Sequence, residues 1–187
     1  MAQIKGNLLI MGISGSLSGM VQFRQVNGKT IVCKPRRSSP PYTTEKALAV
    51  KSRFRMAVGY ARMAIKDPEK KAFYQSKVTG GRLPYHLALA DALTPPKVES
   101  INSSLYHGGI GESISIRATD NFKVVSVKVS ISDGNDSLIE TGFATQQMHG
   151  NDWLYTTTKS NFAVAGCKIS AVAKDLPANT GSLEVTL

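Results

Sequence analysis

The chain has 187 residues, with 23 Lys plus Arg against 13 Asp plus Glu and only two Cys. That length suits one domain or two small ones, and 42% hydrophobic residues can supply a core. Two Cys exclude a disulfide-rich scaffold and a four-cysteine zinc site, and no apolar run approaches the ~20 residues of a membrane-spanning helix.

In chain order, Leu8 to Met11 is too short an apolar run for a signal peptide, and Gly12 interrupts it. The expectation is a chain made in the cytoplasm without a cleaved signal, so that any role outside the cell needs a separate export route. Gly12, Gly15 and Gly19 precede a β-rich run at 20–26, an Asn27-Gly28 pair and a second β-rich run at 29–33. Asn-Gly between two such runs predicts a tight hairpin, because both residues tolerate positive φ. Residues 35–41 then read as a basic, proline-rich linker carrying Arg36 and Arg37.

Thr43 or Thr44 can cap a helix in which Ala47, Val50, Phe54, Ala57, Ala61 and Ala64 recur every three or four residues. Val58 and Ile65 widen that apolar stripe. Asp67-Pro68-Glu69 predicts a second helix running toward Val78, since Asp caps, Pro fits the first helical position and an acid suits the first turn. Pro84 starts a third helix, which Pro95 and Pro96 terminate. Beyond that proline pair, seven short runs with period-two alternation fall between Gly-, Asn- and Asp-rich turns, which predicts an antiparallel sandwich. The expected organisation is therefore an α+β domain over 1–94, a hairpin with about three helices, followed by an all-β sandwich over 97–187.

Charge divides at the same place. Residues 1–94 hold 16 Lys/Arg and four Asp/Glu, a net of +12, while 95–187 hold seven and nine, a net of −2. A basic half attracts polyanions or acidic protein surfaces. At 100° per residue, Lys51, Arg55, Arg62 and Lys66 fall within about 60° of one another, beside the apolar stripe. With Arg36 and Arg37 they are the candidate docking site for an acidic surface or for nucleic acid of any sequence. Trp153 and Tyr155 lie two residues apart and share a strand face, so they are expected in the core or, alternatively, in a partner-binding patch.

No reaction is written in the sequence. Gly28-Lys29-Thr30 has the tail of a phosphate loop, but Phe23 stands where its first Gly must be. His86, His107 and His149 lack metal-ligand spacing, and Asp133, Asn135 and Asp136 lack the rest of a calcium loop, so neither a metal nor a cofactor is implied. Cys33 and Cys167 have no adjacent base to activate a thiol, and acids such as Asp120 and Asp133 are scattered through turns. These observations favour a binding protein over an enzyme, with an effector enzyme whose site assembles only in the fold as a further class.

Gly12, Gly15, Gly19 and Val21, followed by Asn27-Gly28-Lys29, Pro35 and a helix starting at Thr44, resemble a family of small uncharacterised bacterial proteins with a Gly-rich basic N-terminal region. The run from Asp120 through Val129, then Trp153-Leu154-Tyr155 and Ala173-Lys174-Asp175, resembles bacterial immunoglobulin-like domains. Proteins of this two-part kind are similar to cargo or accessory proteins of phage-tail-like contractile injection systems. The resemblance implies an immunoglobulin-like sandwich, docking of the basic half on an acidic surface such as an injection-tube lumen, and export inside a particle.

Overall fold

The computed structural model describes residues 2–3, 9–26, 28–35, 44–148 and 150–187. Three helices and three antiparallel sheets make an α+β molecule with a large sandwich component. The chain divides into two compact units, Met1–Thr44 and Glu45–Leu187.

The first unit is a small sheet of β1 (Ala2–Gln3), β2 (Gly15–Leu17), β3 (Val21–Val26) and β4 (Lys29–Cys33), in the order β1-β4-β3-β2. Val26 pairs with Lys29, the pairing that the predicted Asn-Gly hairpin requires, and Gly28 takes φ 73°; Asn27 lies outside the described residues. Thr30 is buried and gathers the sheet's polar contacts. Its hydroxyl accepts from the Gly12 backbone N–H at 3.0 Å and from the Gln25 side-chain amide at 2.8 Å. Arg36 and Arg37 lie outside the described residues.

The second unit begins with α1 (Glu45–Lys66), α2 (Pro68–Ser76) and α3 (Pro84–Leu93). Asp67 caps α2 as its sequence predicts, accepting from the Glu69 and Lys70 N–H groups at 3.0 and 3.3 Å. Eight strands follow. They are β5 (Lys97–Asn102), β6 (Ser113–Thr119), β7 (Val124–Ser132), β8 (Leu138–Phe143), β9 (Thr145–Gln146), β10 (Asp152–Thr156), β11 (Lys168–Asp175) and β12 (Thr180–Thr186). They form two sheets, β5-β6-β10-β9 and β12-β11-β7-β8. Alternate residues of the two sheets share one core: Ile114, Ile116, Ala118, Trp153 and Tyr155 from one, and Val127, Val129, Ile131, Ile169 and Ala171 from the other.

The compact division falls at Thr44, whereas the sequence suggests Pro95-Pro96. The reason is the apolar seam between the helices and the sandwich. Ala61, Ala64, Tyr74, Leu87 and Ala88 of the helices pack with Phe122 of the β6–β7 loop and Leu176 of the β11–β12 turn. Tyr74 and Phe122 meet edge to face with ring centroids 5.7 Å apart. Close backbone approach reinforces the seam. A side chain at Gly181 of β12 would collide with the Pro96 carbonyl oxygen, so the proline pair is seated on the sandwich.

Candidate functional site

Two groups of charged residues in the second unit differ in every physical respect. The first is the surface of α1. Its 22 residues carry six bases and one acid, Glu45. Lys51, Arg55, Arg62 and Lys66 are all exposed, and among the described residues none of the four forms an ion pair. Arg53 is different, since its guanidinium donates to the Leu93 carbonyl at 2.5 Å and so helps hold α1 to the end of α3. The apolar stripe beside the ridge is buried only in its C-terminal half, at Ala57, Ala61 and Ala64. Val50 and Phe54 continue it toward the N-terminus at 69% and 49% exposure. The structure thus sets four unpaired cations alongside an uncovered apolar half-turn.

The second group is a cluster of three carboxylates in the seam. Asp91 follows Leu87 by one helical turn on the inward face of α3 and is fully buried. Asp120 begins the β6–β7 loop, where its Oδ2 accepts from the Phe122 and Lys123 N–H groups at 3.0 and 2.9 Å. Asp175 ends β11, is 2% exposed, and accepts from the Asn179 backbone N–H at 2.6 Å and side-chain amide at 2.8 Å. One carboxylate oxygen from each of the three lies within 4.8 Å of the others.

A phenol relay reaches this cluster from the helices. Tyr74 donates to Asp91 Oδ2 at 2.5 Å, and the Tyr60 and Tyr74 hydroxyls are 2.9 Å apart. Burial, opposed in part by the Tyr74 hydrogen bond and joined by the negative charge of Asp120 and Asp175, pushes the Asp91 carboxyl up to about 7. Burial likewise raises Asp175 above the usual carboxylate range, and raises Tyr74 and Tyr60 above that of a free phenol. Asp91 Oδ1 and Asp120 Oδ1 are both buried without a hydrogen-bond partner.

The remaining sequence candidates do not converge. Trp153 and Tyr155 share a face as their spacing predicts, but both are 4% exposed and fill the sandwich core, so they form no partner-binding patch. Asp133 closes a polar turn by accepting from the Asn135 and Ser137 N–H groups, and Asp136 pairs with Lys168 at 2.5 Å. His86 accepts from the Leu83 N–H at the start of α3, and His107 faces Glu112 at 3.8 Å. His149 lies outside the described residues. Cys33 and Cys167 are free thiols, and Cys167 is buried between Asn161 and the Ala163 carbonyl. Among the described residues, no helix is long and apolar enough to cross a membrane.

The carboxylate cluster escaped the sequence reading because its members come from one helix and two loops far apart in the chain. One local signal was present: Asp91 is an acid on the apolar face of a short helix, one turn from Leu87.

No family model and no curated protein matches the chain. A crystal structure of a tetra-tandem repeat in the extending region of a large adhesion protein is similar at 18% identity and a TM-score of 0.38, over 50% of this chain and 24% of that one. An engineered protein is similar at 15% identity and a TM-score of 0.32, over 51% of this chain and 19% of its own. The chain thus matches about a quarter or less of either structure, and likenesses at these scores carry no functional weight.

Proposed function

We propose that this chain is a non-enzymatic docking protein whose α1 ridge engages an acidic protein surface. The observation that supports this reading is the set of Lys51, Arg55, Arg62 and Lys66, exposed and without counter-ions among the described residues, beside exposed Val50 and Phe54. Lys51–Arg55 and Arg62–Lys66 are like-charged pairs four residues apart, and such pairs cost a helix about 0.2–0.5 kcal/mol each. The cations supply steering and the apolar half-turn supplies a short-range contact.

The sandwich is then a stable passenger or a second binding module of immunoglobulin type. Its sheet orders support that type, because β5-β6-β10-β9 and β12-β11-β7-β8 correspond to the A-B-E-D and G-F-C-C′ arrangement. The resemblance of the sequence to cargo and accessory proteins of contractile injection systems makes a tube lumen the first surface to test, with loading and export in the particle. The same ridge suits sequence-independent nucleic-acid binding, which the experiment separates.

The experiment compares wild type with Lys51→Glu, Arg55→Glu, Arg62→Glu and Lys66→Glu combined, in co-purification with injection particles from the source cells. Docking predicts loss of the variant from particles with an unchanged circular dichroism spectrum. Co-purification of the variant at wild-type levels contradicts it. Shifting of arbitrary DNA fragments by wild type, with the logarithm of the affinity falling linearly in log salt, selects the nucleic-acid reading instead.

A further inference from the structure

We infer that Asp91, Asp120 and Asp175 form the site of a buried divalent cation of the calcium class, where the C-terminal end of α3 meets the β6–β7 loop and the β11–β12 turn. The first reason is charge. Among the described residues, no Lys, Arg or His forms an ion pair with any of the three acids. Asp91 and Asp175 are buried and Asp120 half-buried, and carboxylates so placed with no cation opposite them are costly unless a proton or a metal ion joins the group.

The second reason is independent of the clustering. Asp91 has no exposed surface, its Oδ2 is taken by Tyr74, and its Oδ1 has no partner at all. Asp120 repeats the pattern, with Oδ2 held by two backbone N–H groups and Oδ1 buried and empty-handed. A native fold leaves few buried acceptors unpaired, and two of them belong to acids of this one cluster, which points to a ligand there.

Donor chemistry selects the ion. All three donors are carboxylate oxygens, the preference of hard cations, with neither His nor Cys in the group. One oxygen from each acid lies within 4.8 Å of the others, close enough for one hard cation to bridge all three. Magnesium dehydrates reluctantly, which disfavours it in a buried seam. The last turn of α3 adds the negative end of its helix dipole at the same place.

The inference does not rest on the docking reading, and its test does not involve the ridge. Full-length chain is stripped with chelator, then titrated with Ca²⁺ by calorimetry and with Tb³⁺ by luminescence excited through the neighbouring tyrosines. The expected result is one saturable ion per chain, Tb³⁺ displaced by Ca²⁺ more readily than by Mg²⁺, and a higher melting temperature in Ca²⁺ than in chelator. Asp120→Asn lowers the affinity by about tenfold or more, while Asp133→Asn, in its polar turn, leaves it unchanged. Absence of saturable Ca²⁺ and Tb³⁺ binding by the folded wild-type chain up to about millimolar metal overturns the inference and leaves a shared proton closing the Asp91–Asp120 gap. Binding that Asp120→Asn does not weaken overturns it equally.

Discussion

The ridge on α1 and the carboxylate cluster behind it hold opposite charges in opposite surroundings. On the ridge, water screens Lys51, Arg55, Arg62 and Lys66, so their mutual repulsion costs little and their field extends to whatever approaches. In the seam, Asp91 and Asp175 are cut off from water, and the same kind of repulsion shifts protonation and demands a counter-charge. Exposed charge is therefore cheap to keep and available to a partner. Buried charge is costly to keep and tied to the fold.

The largest effects should come from breaking the seam. Gly181→Ala drives a methyl group into the Pro96 carbonyl and should cost about 1–3 kcal/mol or more in chemical denaturation. Tyr74→Phe removes the hydroxyl that joins Tyr60 to Asp91 and leaves a buried carboxylate oxygen without its donor. A loss of about 1–3 kcal/mol is expected by the same measurement.

Acidity probes the cluster more gently. The carboxyl of Asp91 is held higher in the folded chain than its ordinary value of 3.8, so the folded state binds that proton more tightly than the unfolded state does. Its contribution is fully present below about pH 4 and is lost as pH rises toward about 7. In chelator, the melting temperature should therefore carry a component that falls across that window, and Asp91→Asn should remove it. Calcium should flatten the same component.

The ridge should give the smallest change in stability and the opposite sign. Changing Lys51, Arg55 and Arg62 to Gln, with Lys66 kept in the last turn where a cation suits the helix dipole, relieves both like-charged pairs and should leave stability the same or raise it by about 0.2–0.5 kcal/mol per pair. The same variant should lose salt-sensitive association with an anionic surface. A clear destabilisation would make the ridge part of the fold rather than a spare surface.

Local features were largely legible in the sequence. Asn27-Gly28, Asp67-Pro68 and the period-two runs of the C-terminal half each specify a turn, a cap or a strand within a few residues. The ridge was legible too, because helical periodicity alone sets its four side chains together. The seam was not. Phe122 and Leu176 sit in loops, where no periodicity marks a residue as buried, and Pro95-Pro96 signals a helix end without telling whether the next element docks. For the same reason Asp91, Asp120 and Asp175 looked like three unrelated acids. Tertiary packing, absent from any local pattern, assembled them. Packing also decided Trp153 and Tyr155, whose shared face was readable while its inward direction was not.

The central structural claim is that the helices and the sandwich form one unit through this seam, and one thermal melt tests it. Trp153 is the sole tryptophan and lies in the sandwich core, while the 222 nm circular dichroism signal follows α1, α2 and α3. In the full-length chain the two signals should report a single coincident transition, and Tyr74→Phe should lower both midpoints together. Helix signal lost at a temperature where Trp153 fluorescence is still native, with Tyr74→Phe moving the helix midpoint alone, would contradict the account.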